Sequence, residues 1–251
     1  EVDLRFSLFE GPKTLSTLST SNKDGWGLGW YEQDKPRVVK EPLVAKDSEK
    51  FHKTAVQARS HIFVAHVRKS TAGPRHKNNC HPFQYQRWLF AHNGSVWLQT
   101  LRGWLDEPRK SRISGQTDSE VYFYWILQNI EKSASTQDGI AAALKKIKSS
   151  GIDYTALNFL LSDGQSLYAY REARVLHDYY SLFFLRRKPQ APHPEKLHSK
   201  ETAAMLESKT LRGEEAVLVC SEQLTEEPWQ EIPLGHLLTI GPDLDPVPIP
   251  I

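Results

Sequence analysis

Cysteine is scarce in this chain: of 251 residues only Cys80 and Cys220 are cysteine, and they have no Cys-x-x-Cys spacing. That points to reduced thiols in a cytoplasmic protein rather than to a disulfide framework. Long apolar runs are missing as well. None approaches the ~20 residues of a membrane span, and no signal-peptide pattern opens the chain, so no membrane partner is expected. Nor does one sign of charge dominate. The net charge is +2, and Lys and Arg are dispersed apart from Arg186-Arg187-Lys188, which reads as a solvated loop; nucleic acid is not an expected partner. The ten histidines include no His-Glu-x-x-His or comparable spacing, so no metal site is expected. No Gly-rich phosphate loop appears. Gly25, Gly27 and Gly29 alternate along one strand, which suits close packing instead.

What is present is an ordinary globular composition, 39% hydrophobic and 25% charged. A chain of this size can bury one large core, and residues 1–251 are read as a single domain. The first residue is Glu1 rather than Met, so further sequence is expected upstream. Apolar runs bounded by Gly, Pro or Asp predict strands at Trp26–Tyr31, Ile62–Val67, Trp88–Ala91, Leu157–Leu161, Leu167–Tyr170, Ser181–Leu185, Val217–Cys220 and Leu237–Ile240. A helical centre separates the two strand-rich parts. Thr117-x-x-Glu120 reads as a capping box, followed at helical spacing by Val121, Tyr124, Trp125 and Gln128. A second helix starts near Ser135 or Thr136, buries Ile140, Leu144 and Ile147, and ends at Gly151. A shorter one between Asp47 and Ser60 places Phe51, Ala55 and Ala58 on one side. Lys188–Arg212 reads as a surface excursion whose only periodic piece is Glu201–Leu206, and the Pro-rich tail Pro242–Ile251 as extended chain. There are no internal repeats. Strands on both sides of a helical middle fit a layered α+β domain.

Three groups carry candidate chemistry. Arg68 follows an apolar strand and precedes a Thr-Ala-Gly-Pro turn, where its planar fork can meet a carboxylate; a surface ion pair is the plain alternative. His92-Asn93-Gly94 ends the next strand. It is either a hairpin turn or a pair of donors, the Asn93 amide and the Gly94 N–H, aimed at an oxyanion. Asp118 opens a helix, where an acid favours the macrodipole, and it could also accept from an ammonium group. Together they suit a free amino acid: Arg68 for the α-carboxylate, Asp118 for the α-ammonium, and Asn93 with Gly94 for a polarised carbonyl. Cys80 and His81, as neighbours on extended chain, point to opposite faces and cannot easily pair. Cys220, at the end of an apolar strand, reads as a buried core thiol.

The joint order of Asp24-Gly25-Trp26-Gly27, His66–Gly73, His81-Pro82-Phe83, His92-Asn93-Gly94, Thr117-Asp118-Ser119-Glu120, Leu157–Gly164 and Ser221–Pro228 resembles the class II glutamine amidotransferases, stand-alone YafJ-like group. These are N-terminal-nucleophile (Ntn) hydrolases. The resemblance covers nearly the whole chain. It implies a four-layer αββα sandwich of two antiparallel sheets between helical layers. It also implies that Arg68 and Asp118 hold the substrate's α-groups, that Asn93 and Gly94 form the oxyanion hole, and that Thr71 and His81 line the pocket. The implied nucleophile is an N-terminal cysteine, expected upstream of Glu1. No metal or organic cofactor is implied. The substrate would be glutamine or another γ-glutamyl small molecule, with any ammonia handed to a separate synthase subunit. The alternatives are a γ-glutamyl amidase of thiol metabolism and a γ-glutamyl-binding module without catalysis.

Overall fold

The computed structural model describes residues 14–70, 73–188 and 215–251. Among them, one antiparallel sheet has six strands in the order β12-β11-β7-β6-β5-β4. These are β4 (Phe83–Tyr85), β5 (Trp88–Val96), β6 (Tyr154–Ser162), β7 (Leu167–Arg171), β11 (His236–Ile240) and β12 (Val247–Pro250). A second sheet, in the order β2-β1-β3, comprises β1 (Gly25–Glu32), β2 (Lys35–Glu41) and β3 (Phe63–Arg68). A third, in the order β10-β8-β9, comprises β8 (Phe183–Arg187), β9 (Ala216–Cys220) and β10 (Gln230–Glu231). The helices are α1 (Leu15–Leu18), α2 (Glu49–Gln57), α3 (Leu98–Gly103), α4 (Glu107–Lys110), α5 (Asp118–Ile130) and α6 (Thr136–Ser149).

Side-chain alternation along the strands explains the layers. On one face of the six-stranded sheet, Trp88, Phe90, Leu157, Phe159, Leu161, Tyr168, Tyr170 and Leu237 pack with α3, α5 and α6 in the largest core. On the other face, Leu89 and Ala91 meet Tyr31 and Val64 of the second sheet, while Ala169, Leu238 and Ile240 meet Phe184 and Val219 of the third. The outer face of β1 and β3 is closed by Phe51, Ala55 and Ala58 of the α2 segment, against Trp26, Leu28 and Trp30. Helix, sheet, sheet, helix is therefore the order of layers, the expected αββα sandwich. One refinement is that the sheet layer facing the six-stranded sheet is divided in two.

Local chemistry sets the helix ends. Ser48 caps α2, its hydroxyl accepting from Phe51 N at 3.0 Å, and Ser135 caps α6 by accepting from Asp138 N at 3.1 Å. Gly151, one residue past the Ser150 C-cap, has φ +75°, the left-handed position that suits glycine. Helix α5 departs from a simple one-faced pattern. Every residue from Asp118 to Gln128 is buried, because the sheet and the neighbouring helices enclose it. Its capping box is half made. Thr117 Oγ1 accepts from Glu120 N at 3.3 Å, but Glu120 reaches back past the cap, its Oε1 accepting from Ser114 N and its Oε2 from Gly115 N.

Four strands escape the sequence pattern. β2 pairs with β1 through a two-residue Gln33-Asp34 turn, both residues at positive φ. The extended tail does more than run free: Val247–Pro250 forms the edge strand beside β11, with its prolines tolerated at a sheet edge. Of the two thiols, Cys80 is the fully buried one, whereas Cys220 is only partly covered. The Glu201–Leu206 piece, and the Lys188–Arg212 excursion beyond Lys188, lie outside the described residues.

Candidate functional site

The site begins where three glycines let one chain segment lie on a strand. A Cβ on Gly25 would sit 2.4 Å from Cys80 Sγ, one on Gly27 1.9 Å from His81 O, and one on Gly29 2.8 Å from Pro82 Cγ. Residues Cys80-His81-Pro82, with a cis His81–Pro82 peptide, therefore rest directly on β1. Lys40 secures them from the neighbouring strand, its Nζ donating to Cys80 O at 2.6 Å and Pro82 O at 3.3 Å. Burial pushes this ammonium down to about 8.

Arg68 ends β3 opposite Gly25 and is buried. Its Nη2 donates to Gly73 O at 3.2 Å and its Nη1 to Pro74 O at 3.5 Å, so the guanidinium closes the loop that follows its own strand. Asp24 clamps the same loop. It accepts from Ser70 N at 2.8 Å and from Arg75 Nε at 2.6 Å. The Ser70 amide first, and then the Arg75 and Arg68 cations, hold its carboxyl below the usual carboxylate range despite some burial. Thr71 lies outside the described residues.

Between Arg68 and β5 lies a group of three histidines. The His66 and His81 rings are 4.2 Å apart, and His81 Nδ1 accepts from His92 N at 3.4 Å. His92 spans the sheet and α5, with Nδ1 at 2.9 Å from Ser119 Oγ and Nε2 at 3.2 Å from Ala156 O. A carbonyl can only accept, which assigns the proton to Nε2 and leaves Nδ1 to accept from the Ser119 hydroxyl. Burial pushes all three rings toward the neutral form. His66 falls to about 4, with the His92 and Arg68 charges adding to burial. His81 falls well below its ordinary value, again by burial and then by its histidine neighbours, Lys40 and Arg68. His92 is lowered by burial against the opposing pull of the Asp118 carboxylate.

Asn93 and Gly94 are not a hairpin turn. They lie inside β5, opposite Asn158 and Leu157, and the register slips between Gly94 and Val96. Gly94 has φ +144°, and a Cβ there would lie 2.0 Å from Ala156 O, so only glycine fits. Ser95 N donates to Thr155 Oγ1 at 3.0 Å. The Asn93 side chain is half-buried, and among the described residues no hydrogen bond engages its amide.

Asp118, the first residue of α5, is joined to that same irregular stretch. Its Oδ2 accepts from Val96 N at 2.8 Å and its Oδ1 from Ser119 N at 2.9 Å. A carboxylate has about four acceptor sites, so each oxygen keeps a lone pair for a ligand. The backbone bonds fix the carboxylate two residues beyond Gly94. The sequence reading thus named Arg68, Thr71, His81, Asn93, Gly94 and Asp118 as site residues, and quoted Asp24, His66, His92, Ser119 and Glu120 within its motifs without giving them a part in holding the site.

Three comparisons bear on what this arrangement belongs to. The profile of the family described as Glutamine amidotransferases class-II matches residues 1–242. An uncharacterized protein of Methanocaldococcus jannaschii is 33% identical over 88% of this chain, which spans 61% of that protein's length. The Escherichia coli protein YafJ, named as a glutamine amidotransferase, is 30% identical over 86% of this chain and 84% of its own length. The solved glutamine aminotransferase class-II domain protein of Silicibacter pomeroyi superposes with a TM-score of 0.63 at 24% identity, covering 90% of this chain and 92% of that one. That likeness speaks to the fold. The family profile and the E. coli relative speak to descent: the chain belongs to the class II glutamine amidotransferases.

Proposed function

We propose that the chain binds glutamine or a γ-glutamyl small molecule and hydrolyses its amide with an N-terminal cysteine lying upstream of this sequence. One observation carries the reading. A buried carboxylate, Asp118, is bonded through Val96 N to a strand distorted at Asn93–Gly94, and a buried cation, Arg68, ends β3 two residues after His66, whose ring packs on His81, itself bonded to His92 N of that strand. The α-carboxylate would take the Arg68 fork, for which Lys would be a poor substitute. The α-ammonium would take the lone pairs that Val96 and Ser119 leave on Asp118. The Asn93 amide and the Gly94 N–H would meet the oxyanion. Thr71 and a neutral His81 would line the remaining wall.

In this reaction the thiol passes its proton to its own α-amine, whose ordinary pKa of about 8 suits a base at neutral pH. Sulfur bonds to the amide carbon and the carbonyl oxygen gains the charge. Collapse expels ammonia or an amine, which takes up the proton, and leaves a γ-glutamyl thioester. Water then cleaves the thioester, releasing glutamate and restoring the thiol. Ammonia would pass to a separate synthase subunit or be lost to solvent.

Neither internal thiol suits the role of nucleophile. Burial raises the Cys80 thiol above its ordinary value and pushes Cys220 up to about 12. The test is intact-mass analysis of the protein translated from its natural start, after treatment with a glutamine-derived chloroketone. A single adduct on an N-terminal cysteine is expected. Adducts on Cys80 or Cys220 would overturn the assignment, and glutamine binding with neither adduct nor turnover would identify a binding module.

A further inference from the structure

Asn79 has no place in the roles assigned above, yet it is only 1% exposed and touches both loops that carry the charged groups. Its Nδ2 donates to Pro74 O at 3.0 Å, the carbonyl that Arg68 Nη1 also reaches at 3.5 Å. Its Oδ1 accepts from Gln116 N at 2.9 Å, two residues ahead of Asp118. A primary amide offers a donor and an acceptor fixed in one plane. Here the donor is spent on the Arg68 loop and the acceptor on the approach to α5.

Both loops are shaped to meet it. A Cβ on Gly73 would lie 2.8 Å from Asn79 Nδ2, and one on Gly115 would lie 2.6 Å from Asn79 Oδ1. The second loop is also held from the helix side, where Glu120 accepts from Ser114 N and Gly115 N at 2.9 and 2.6 Å. Asn78 Nδ2 adds a bond to Ser114 O at 3.1 Å. The sole side chain among these that bonds the Arg68 loop and the α5 approach together is Asn79.

We propose that Asn79 is a positioning residue that sets the spacing between the Arg68 guanidinium and the Asp118 carboxylate, making recognition of a substrate's α-carboxylate and α-ammonium cooperative. The inference rests on the functional reading above. Two anchors at a fixed spacing gain from preorganisation: once one α-group is seated, the other meets its partner without further ordering of the protein. With the amide removed, each anchor still serves its own group. The benefit of having both on one ligand is what disappears.

The test is a set of NMR titrations with L-glutamine, glutaramic acid (no α-amine) and 4-aminobutyramide (no α-carboxylate). Wild type, Asn79→Ala and Asn79→Asp are compared, with a melting curve for each. Wild type should bind glutamine at least about tenfold more tightly than either analogue. In Asn79→Ala glutamine should weaken by about tenfold while the analogues change less than about twofold, so that the preference collapses. Asn79→Asp keeps the acceptor for Gln116 N and loses the donor to Pro74 O; it should behave the same way, and it carries the test should Asn79→Ala not fold. An equal loss on all three ligands, or unchanged ratios beside a lower melting temperature, would make Asn79 a packing residue and overturn the proposal. Wild-type protein that binds no glutamine overturns the functional reading itself, and this inference with it.

Discussion

The two halves of β5 are one strand stabilised in two ways. From Trp88 to Ala91 both faces are apolar and buried. Trp88 and Phe90 face the helical layer, and Leu89 and Ala91 face the second sheet. From His92 to Val96 nearly every fixed group is held by a directional bond instead: His92 to Ser119 and Ala156, Ser95 to Thr155, Val96 to Asp118. Apolar burial is non-directional, so the first half gives stability without specifying any chemistry. Directional bonds do the reverse, adding little net free energy while fixing where each atom sits. The chemistry proposed above would fall where regular pairing lapses and a helix N-terminus is within reach. Asn93 is the exception in the second half, since among the described residues no hydrogen bond engages its amide.

The largest effect separates the halves outright. Phe90 is fully buried and stacks on Phe123 with centroids 5.2 Å apart, with Tyr122 and Phe159 at 5.6 and 5.7 Å. Phe90→Ala should cost about 3–5 kcal/mol in urea denaturation, with glutamine affinity unchanged in the fraction that remains folded. Asn93→Ala should behave oppositely. Its stability should stay within about 0.5 kcal/mol of wild type, because no protein partner is lost. Its kcat, measured on protein carrying the N-terminal cysteine, should fall by about 10²–10³ with little change in KM, as for the loss of one oxyanion donor. A large stability loss in Asn93→Ala with normal kcat would return this stretch to a purely structural role.

The same division explains what could be read from the sequence. All eight apolar runs overlap strands, because sheets covered on both faces write short, nearly continuous apolar runs bounded by turn residues. The run Trp88–Ala91 was cut short at His92, where the strand continues with polar residues whose partners lie far along the chain. β2 went unseen because Lys35–Glu41 is largely charged and partly exposed, and β12 because Val247–Pro250 reads as a proline tail. Asp118 and Arg68 were legible because a helix start and a strand end are local signals. Asn79 was not. Its worth lies in bonds to Pro74 and Gln116, and the second of these spans 37 residues. Glu120 misled for a related reason: the spacing of a capping box is local, but the carboxylate had a better use in the loop before it.

Acidification gives the smallest effect and probes the junction between the halves. The His66 ring is held neutral down to about 4, whereas an unfolded histidine titrates near 6.5. The groups facing it are His81 and His92, with the Arg68 charge nearby; burial and the His92 and Arg68 charges oppose a proton on His66 and outweigh the His92 backbone hydrogen bond that favours one. As pH falls through 6.5 the unfolded chain takes up a proton that the folded chain refuses, so stability present above 6.5 drains away and is gone below about 4. The gap between those values corresponds to roughly 3 kcal/mol at most for this one ring, before allowing for residual solvent access. His81 and His92 are shifted in the same direction and add to the slope. Urea denaturation at pH 7 and pH 5 should show wild type losing more stability than His66→Gln over that interval, even if the variant starts lower. Parallel losses in the two proteins would mean that His66 takes no part in the acid response.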